Sequence, residues 1–552
     1  MSFKKSRNLA PLLLMASVSV LSACTSSSAA DSSSDSARRI KTSKGGDTTG
    51  GTTTPTPVPS PTPTPVPSTG SATYDTSIGN GVDANGFADL PLRAGAKRIY
   101  VSSLSGASDS NSCTAAQNAT TPKRTIASAY ACITDGAGDQ LLVAEGSNFA
   151  ETIPSFNFKA GGFSYLYPTV IESYDPTDPT NEAKLGRANG TGSHARPQFT
   201  AVMGSFAFSL GGNQSFIAFR GLDINPGNAS KQEINGISMG SGILFENNLL
   251  RYTGIILDVS AQPIAHHWII RNNAIYGNWA SDLSYHSQGI YAAGCDSLTV
   301  EDNVLWHNGW KIGGGGRDDP SEGATMFRHA IYQQKNTDSV IRRNLIVDGS
   351  ADGGSLRGDA TVTENMYIDN PITFAAGGGV NYYVDRPNGD ALLIAYNAVL
   401  GSAQINASGA SGWGISTQNG KPTSETHHNL FVRSGYTSFT FGVSADFNQP
   451  SYMNFHDNVS YQWSGSGRAL ANGGAYPAQV FTTYNNNVWD DPASGTNSNV
   501  SSHTFPNPYT AAQLYAALGF ADKTAFMTYA VANPDTHPAR NARALLFAGY
   551  GM

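Results

Sequence analysis

Three short segments between residues 286 and 365 carry the side chains in this sequence that could do chemistry. They read HSQGIYAAG (286–294), FRHAIYQQK (327–335) and GGSLRGD (353–359), and each is followed by a second apolar run that ends at an Asn. Each segment has an aliphatic residue at its centre and polar or aromatic residues beside it. Side chains alternate between the two faces of a strand. The pattern therefore predicts three stacked strands that share one inner and one outer face.

The outer face of these strands is predicted to hold the functional groups. With Ile290, Ile331 and Leu356 pointing inward, Tyr291, Tyr332 and Arg357 form one outward column. Ser355 belongs to the next outward column. Further polar groups lie at the strand starts or in the Gly-rich insert before the second strand, and they are His286, Arg328, His329, Lys311 and Arg317.

These residue types suit the removal of a proton next to a carboxylate. Arg keeps its charge and binds carboxylates, whereas His and Tyr can carry protons. A cation that neutralises a uronate carboxylate makes the neighbouring C–H acidic enough for β-elimination. We therefore assign His329, Tyr332, Arg357 and Arg328 as catalytic candidates, and Tyr291, His286, Lys311, Arg317 and Ser355 as substrate-binding candidates. No metal ligands are assigned, and the pairs His266-His267 and His427-His428 are interpreted as structural.

The elements that must position these groups recur along the chain. Short apolar runs end at Asn248, Asn273, Asn303, Asn344, Asn365, Asn397, Asn429, Asn458 and Asn487. The spacing varies around 30 residues, which is typical of a repeat architecture. Asn tolerates the left-handed backbone of a tight corner, and its amide can bond to the next coil. A large antiparallel sandwich is the alternative.

The start of the folded region resembles a known family. RIYVSSLSG, PKRTIASAYACI and DQLLVAEG read as strand, helix and strand, and this unit resembles the opening of right-handed parallel β-helix proteins of the pectate-lyase-like superfamily. The resemblance implies an all-β solenoid with an N-terminal strand–helix cap over residues 73–504. Helical periodicity after Phe505 predicts a small helical segment, 505–552, packed on the last coils.

The same resemblance implies an acidic polysaccharide as partner. Many members of the superfamily are lyases, often with calcium, so the resemblance leaves a Ca²⁺ cofactor open. We expect a polysaccharide lyase. The alternatives are a non-catalytic glycan-binding surface protein or adhesin, and a β-helix glycoside hydrolase or epimerase. The sequence does not distinguish which polysaccharide is bound.

The N-terminus predicts export and anchoring. Residues 1–24 combine basic residues, a short apolar stretch and the ending Leu21-Ser22-Ala23-Cys24, which resembles a bacterial lipoprotein signal with Cys24 as the lipid anchor. Thr25 after it favours the outer membrane or cell surface. Residues 25–72 are rich in Ser, Thr, Gly and Pro and predict a disordered linker.

Composition agrees with an exported β-rich protein. Charged residues make up 14 % of the 552, the net charge is −7, and Gly is abundant at 59. Nucleic acid is excluded as a partner, because binding it needs a basic surface. Cys113 and Cys132 are predicted to form a disulfide that contributes about 3 kcal/mol. Cys295 is expected to be a small buried residue.

Overall fold

Three long parallel sheets make up the body of the protein in the computed structural model. The structure describes residues 73–151, 161–188, 194–200, 206–209, 214–230, 233–237, 240–259, 265–282, 284–319, 321, 323–377, 391–402, 404–405, 410–411, 413–418, 423–434, 437–442, 452–461, 470–472, 481–489 and 502–552. All of them lie in one unit, Ser60–Met552. The predicted signal peptide, the linker, Cys24 and the lipid anchor fall outside the described residues and stay predictions.

Each complete coil contributes one strand to each sheet. The first sheet contains Arg98–Val101, Gln140–Ala144, Thr169–Tyr174, Ile217–Arg220, Ile243–Glu246, Ala265–Arg271, Cys295–Glu301, Ser339–Arg342, Ala360–Thr363, Ala391–Ala395, Thr423–His427, Tyr452–His456 and Phe481–Asn485. The second contains Asn148–Phe149, Gln198–Phe199, Asp223–Ile224, Leu249–Arg251, Ala274–Tyr276, Val304–Trp306, Leu345–Val347, Met366–Ile368, Ala398–Ser402, Leu430–Ser434, Val459–Tyr461 and Val488–Trp489. The third contains Phe206–Ser209, Glu233–Ile237, Gly254–Asp258, Ile290–Ala293, Ile331–Gln334, Gly354–Arg357, Ile372–Gly377, Trp413–Gln418, Thr437–Gly442 and Leu470–Asn472.

The chain visits the three sheets in the same order in every complete coil. A first-sheet strand such as Ala265–Arg271 is followed by the second-sheet strand Ala274–Tyr276 and then by the third-sheet strand Ile290–Ala293. The next first-sheet strand, Cys295–Glu301, pairs in parallel with the one a coil earlier. Neighbouring strands in all three sheets are parallel, and a small antiparallel pair joins Gln404–Ile405 to Ala410–Ser411. The parallel pairing confirms the predicted solenoid and excludes the sandwich.

The inside of the solenoid is apolar. Aliphatic and aromatic residues from all three sheets form one continuous buried cluster from Ile99 to Phe455. The rings of Phe219 and Phe245, on adjacent first-sheet strands, stack with centroids 5.0 Å apart. Stacking identical side chains between coils buries apolar area in each repeat, which a single coil cannot do alone.

The nine predicted Asn residues, from Asn248 to Asn487, form a continuous hydrogen-bonded series that we call the Asn ladder. Each of them except the last donates its backbone N–H and its Nδ2 to Oδ1 of the next, as Asn303 does to Asn344 at 3.0 Å for both bonds. Each ladder amide also donates to a carbonyl of the preceding coil, such as Nδ2 of Asn303 to O of Ile270 at 2.8 Å. All members are buried. The amide bonding predicted for these residues is therefore confirmed.

The left-handed residue at each corner is not the ladder Asn, as the sequence suggested, but the residue before it. These preceding residues have φ between 52° and 59°, and they include Asp302, Arg343, His428 and Asp457. The ladder amide must point into the corner to bond both neighbouring coils. The preceding residue therefore makes the turn and projects its side chain outward.

An alternating row of charges, buried except for half-buried Arg342 at its end, crosses the first sheet, and we call it the charge row. In successive register it reads Glu172, Arg220, Glu246, Arg271, Glu301 and Arg342. Each Arg lies within 3.6 Å of a neighbouring carboxylate, for example Nε of Arg271 at 2.7 Å from Glu246. The segment before the first strand covers the row, since O of Asp75 accepts from Arg271. Paired and covered in this way, the charges are tolerated away from water.

Helices cover one end and one side of the solenoid. Helix α1, Ile126–Tyr130, belongs to the predicted N-terminal cap and is shorter than the apolar pattern suggested. Helices α2 Ala511–Ala517, α3 Lys523–Ala532 and α4 Pro538–Gly549 form the predicted C-terminal segment. They pack along the second sheet, on residues from Ala274 to Val488, and not only on the last coils as predicted. Short 3-10 turns lie at Ala115–Gln117, Glu182–Lys184 and Pro534–Thr536.

The cysteines follow the sequence-based expectations. Cys113 and Cys132 form a disulfide beside the cap. Cys295 is a buried free thiol in the core. Burial raises the pKa of the Cys295 thiol, which makes it a poor nucleophile.

Candidate functional site

The three predicted strands are adjacent in the third sheet, and their register places two outward columns side by side. Tyr291 pairs with Tyr332, and Tyr332 pairs with Ser355. Gln334 pairs with Arg357 one step further along. The predicted register differs by two residues on the last strand, because Ile331 lies beside Gly354 and not beside Leu356. A shift of two keeps the inward and outward faces, so Arg357 still points to the same side as the tyrosines.

Aromatic and cationic groups converge on this surface, which we call the tyrosine face and define as Tyr291, His329, Tyr332, Gln334 and Arg357. The rings of Tyr291 and Tyr332 are 5.3 Å apart, and those of His329 and Tyr332 are 5.2 Å apart. The guanidinium carbon of Arg357 lies 5.2 Å from the centre of the Tyr332 ring. Tyr332 is only 8 % exposed, whereas Tyr291 and Arg357 are half-buried. The outer members can therefore reach a ligand, and Tyr332 supports them from below.

A hydrogen-bonded chain connects the two tyrosines. The hydroxyl of Tyr332 donates to Oε1 of Gln334 at 3.0 Å, and Nε2 of Gln334 donates to the hydroxyl of Tyr291. Hydrogen bonds in such a chain polarise one another. The chain fixes the Tyr291 hydroxyl at the outer end of the tyrosine face, where a proton can be passed to a ligand.

Asp352 and Gln288 contact His329, the buried histidine of the tyrosine face. Nδ1 of His329 lies 3.1 Å from Oδ2 of Asp352, on the next coil. The backbone N–H of His329 donates to Oε1 of Gln288, whose Nε2 donates to O of Phe327 at 2.9 Å. His329 is 5 % exposed. These contacts fix the imidazole against Tyr332 and leave it little access to solvent.

His286 is the accessible histidine of the site. Its ring stacks on Phe327, with centroids 5.4 Å apart, and Phe327 is itself 47 % exposed. Partial desolvation of the ring in this contact, together with the electrostatic influence of His329 and the positive charges of Arg357 and Arg328, holds the pKa of His286 below its ordinary value. His286 is therefore neutral near neutral pH and able to accept a proton.

Arg328 does not lie on the tyrosine face, which differs from its prediction as a catalytic residue. It is fully buried, and its guanidinium donates to the backbone carbonyls of Tyr285, Gly309, Gly323 and Asp282 at 2.7–3.3 Å. Burial lowers the pKa of Arg328 to about 10. The position precedes the regular strand, where alternation no longer decides the direction of a side chain. Its role in this structure is to hold the loop before the third-sheet strand.

Lys311 and Arg317 also make other contacts than those predicted. Nζ of Lys311 lies 5.0 Å from the centre of the Trp279 ring. Arg317 donates to O of Asp369 at 2.7 Å and lies 3.7 Å from Asp348, at the side of the second sheet. The insert at 311–326 reaches the site through its end, where exposed Met326 precedes Phe327. Ser355, predicted to bind substrate, is buried beside Tyr332.

Sequence reasoning missed four residues of the site, namely Gln288, Phe327, Gln334 and Asp352. Gln334 could have been found, since it has the same outward parity as Tyr332 on the same strand. Asp352 and Gln288 lie before their strands and are brought to His329 by pairing between coils, which periodicity does not show. Phe327 reads as an ordinary core residue until its exposure is known.

The tyrosine face does not fit a calcium ion. Calcium takes six to eight oxygen ligands, largely carboxylates. Here Asp352 is paired with His329, and the guanidinium of Arg357 would repel a cation. In the nearby insert, Oδ1 of Asp319 accepts from the N–H and hydroxyl of Ser321 within a turn, both at 2.8 Å. Glu322, a further acidic residue of the same insert, lies outside the described residues. No step below is therefore derived through calcium.

Comparison with known proteins agrees with the strand pairing. Residues 228–389 match a family model described as a right handed beta helix region. The match and the parallel pairing of the three sheets together show the fold of a right-handed parallel β-helix. Nothing among curated proteins matches it.

Solved structures with some similarity include three carbohydrate-active enzymes. A mutant of the periplasmic alginate epimerase AlgG is 11 % identical, with a TM-score of 0.30 over 64 % of this chain and 79 % of the other. An alginate lyase from Paenibacillus sp. str. FPU-7 is 12 % identical, with a TM-score of 0.32 over 68 % and 98 %. Pectate lyase Pel9A is 12 % identical, with a TM-score of 0.35 over 74 % and 84 %. Function has to be inferred from the side chains at this level of similarity.

In the part of the chain that the structure describes, no helix has both the length and the hydropathy needed to cross a membrane.

Proposed function

We propose that this protein is a polysaccharide lyase that cleaves an acidic, uronate-containing polysaccharide by β-elimination at the tyrosine face. The observation that carries the proposal is the outward surface on which the Arg357 guanidinium meets a hydrogen-bonded pair of tyrosines, with His286 stacked on exposed Phe327 in the segment that leads into the Tyr291 strand. Each of these groups supplies one requirement of the elimination. One carboxylate beside this face, Asp352, is paired with His329, whereas glycoside hydrolysis uses two carboxylates about 5–9.5 Å apart.

Arg357 would bind the uronate carboxylate. A guanidinium matches a carboxylate with two parallel hydrogen bonds and stays charged at any working pH. Neutralising the carboxylate stabilises the enolate that forms when the adjacent C5–H is broken. Arg357 is half-buried with its guanidinium over the Tyr332 ring, so a sugar bound on this face would meet it there.

His286 would take the proton, and Tyr291 would give one. His286 is exposed and its depressed pKa keeps it neutral, as a base must be. As C5–H breaks, its electron pair forms the C4–C5 double bond and the C4–O glycosidic bond breaks. The Tyr291 hydroxyl protonates the departing oxygen, supported through Gln334 by Tyr332. His329 acts as a positioning residue, because Asp352 and Gln288 hold it against Tyr332.

Exposed Phe327 would place the sugar ring. An aromatic face in contact with His286 gives a flat apolar platform next to the base. Sugar rings stack on such surfaces through their C–H groups. Stacking here would bring C5 of a bound residue close to the His286 imidazole.

The test is incubation of the purified protein with polymers of galacturonate, of mannuronate and guluronate, and of glucuronate. A lyase leaves a conjugated unsaturated uronate at the new end, which absorbs in the ultraviolet. The same polymers with their carboxylates reduced to alcohols serve as the matched control, because Arg357 then has no anion to bind. We expect absorbance to rise with at least one acidic polymer and with no reduced polymer.

Other outcomes would replace the proposal with a specific alternative. New reducing ends without ultraviolet absorbance indicate a hydrolase. A changed uronate configuration without cleavage indicates an epimerase, which breaks the same C–H bond but keeps the glycosidic bond. Binding without any product indicates a glycan-binding protein or adhesin.

We further propose that the protein is exported and held at the outer membrane or cell surface by a lipid on Cys24. The ending Leu21-Ser22-Ala23-Cys24 and the Pro-rich residues 25–72 support this. Cys24→Ala should leave the protein without a fatty acid. Metabolic labelling of the Cys24→Ala protein with a fatty acid would contradict the anchor.

A further inference from the structure

Five side chains with metal-binding chemistry crowd one place on the outer face of the first sheet, near the last described coils. Two successive coils supply them at equivalent positions of the same turn. His427 pairs with His456, and the left-handed turn residues that follow are His428 and Asp457. Glu425, two residues before His427, completes the group. Its members are Glu425, His427, His428, His456 and Asp457.

Their ligand atoms converge. One donor atom from each of His428, His456 and Asp457 lies within 4.8 Å of the other two. Nδ1 of His456 is 2.6 Å from Oδ2 of Asp457, and Nδ1 of His427 is 2.9 Å from Nδ1 of His428. Ligands around a tetrahedral ion with bonds of about 2.0–2.2 Å are roughly 3.3 Å apart. An ion bound among the donors of His428, His456 and Asp457 would replace the direct contact between Nδ1 of His456 and Oδ2 of Asp457.

The second nitrogen of His456 is already oriented as it is in metal sites. Nε2 of His456 lies 2.8 Å from Oε1 of Glu425, and Oε2 of Glu425 accepts from Asn454 at 3.0 Å. A carboxylate on the far nitrogen of a ligating imidazole fixes its tautomer and makes it a better ligand. This contact is a separate observation from the convergence of the donor atoms, and it also supports a metal site.

Ring packing holds the imidazoles in place. The rings of His427 and His456 stack at 5.1 Å with 8° between their planes. Tyr396, from the preceding coil, stacks on His428 at 5.0 Å. Ligands that are held before the ion arrives lose little entropy on binding it.

We propose that His428, His456 and Asp457 bind a divalent transition-metal ion of the zinc class, with His427 beside them and Glu425 as the partner of His456. Imidazole nitrogen with one carboxylate suits Zn²⁺, Ni²⁺ or Cu²⁺, whereas Ca²⁺ and Mg²⁺ prefer oxygen alone. The ion would join two successive coils. This site is on the first sheet, and its existence does not depend on the function proposed for the third.

A second group of donors in the described residues is a weaker candidate. Glu145, Asp175 and His194 also bring one atom each within 4.8 Å of one another. There Nζ of Lys184 lies 3.2 Å from Oδ2 of Asp175, so a cation already neutralises the carboxylate. A metal ion would have to displace it.

The test uses the mature chain without a polyhistidine tag, treated with a chelator, dialysed and titrated with ZnCl₂ by calorimetry. We expect one ion per chain with a dissociation constant in the micromolar range or below, and no comparable binding of CaCl₂. His456→Gln should weaken binding more than about 100-fold, because even partners behind the ligands contribute 10–100-fold. Glu425→Gln should weaken it by about 10–100-fold.

His266→Gln is the matched control. His266 is an exposed histidine of the same sheet, and its Nδ1 lies 3.2 Å from Oδ2 of Asp296, but it belongs to neither group of three converging donors in the described residues. It should keep wild-type affinity. Circular dichroism of each variant in the presence of chelator shows whether the variant is folded. If His456→Gln is not folded, Asp457→Asn is used in its place. Wild-type binding equal to that of folded His456→Gln or Asp457→Asn overturns the site, as does an equal loss in His266→Gln.

Discussion

Replacing Asn303 by Ala should destabilise the middle of the solenoid by several kcal/mol. Its Oδ1 accepts from N and Nδ2 of Asn273, both at 3.0 Å, and its Nδ2 donates to O of Ile270 and Oδ1 of Asn344. The substitution leaves three buried groups without those partners: N of Asn273, Nδ2 of Asn273 and O of Ile270. Oδ1 of Asn344 also loses one donor but keeps the backbone N–H of residue 303. At about 1–3 kcal/mol for each, the loss is about 3–9 kcal/mol.

We expect a value near the lower end, about 4 kcal/mol, because Nδ2 of Asn273 keeps its bond to O of Phe245 at 2.9 Å. Coils of a solenoid contact only their neighbours, so the effect should be local. The assay is hydrogen exchange followed by mass spectrometry on peptides covering residues 265–306. A loss of 4 kcal/mol lowers the protection of the slowest amides by roughly a thousandfold.

Asn228→Ala is the control for this prediction. Asn228 is exposed and donates one bond to O of Ile312 at 3.0 Å, so its replacement should cost less than about 0.5 kcal/mol. If Asn303→Ala lowers protection by no more than Asn228→Ala does, the ladder adds nothing to stability. The reasoning from orphaned groups would then be wrong.

Three further predictions concern the site. Arg357→Ala should lower kcat/KM on the acidic substrate by about 100-fold or more with an unchanged circular dichroism spectrum, and wild-type rates would remove the tyrosine face as the active site. Activity should rise with pH, with a midpoint below about 6.5, because only neutral His286 accepts a proton and its pKa is depressed. His286→Gln should abolish this loss of activity at acid pH. A midpoint above about 6.5 in the wild-type pH profile contradicts the assignment of His286 as the base. Arg328→Met should destabilise the fold by about 3 kcal/mol or more, because four carbonyls lose a donor. The assay is chemical denaturation, and an unchanged midpoint would return Arg328 to the list of catalytic candidates.

The solenoid could be predicted because its sequence signal comes from contacts between neighbouring coils. Each ladder Asn bonds the Asn one coil away, so the same residue recurs at every corner whatever the length of the loop between. The outward direction of Tyr291, Tyr332 and Arg357 followed from alternation within a strand. A misplaced pairing by two residues could not disturb it, since only an odd shift exchanges the faces.

The parts that could not be predicted lie outside regular strands. Arg328, Gln288 and Asp352 precede their strands, where the backbone bends and no period fixes the side chain. Lys311 and Arg317 come from an insert whose path is decided by distant partners such as Trp279 and Asp369. The helices of the C-terminus were recognised by their period, but the sheet they cover depends on which outer face is apolar, and that requires the assembled coils.

The charge row limits how this solenoid can change its length. Because Glu and Arg alternate from Glu172 to Arg342, removal of a single coil would bring two like charges together, for example Arg220 beside Arg271 after loss of the coil that carries Glu246. Those charges are buried beneath the N-terminal segment, where a like pair is costly. Removal of two adjacent coils restores the opposite neighbours, Arg220 beside Glu301. Between Glu172 and Arg342, coils can therefore be lost or duplicated only in even numbers. Single coils can vary beyond either end of the row, where the register continues with the uncharged Leu142 and Thr363.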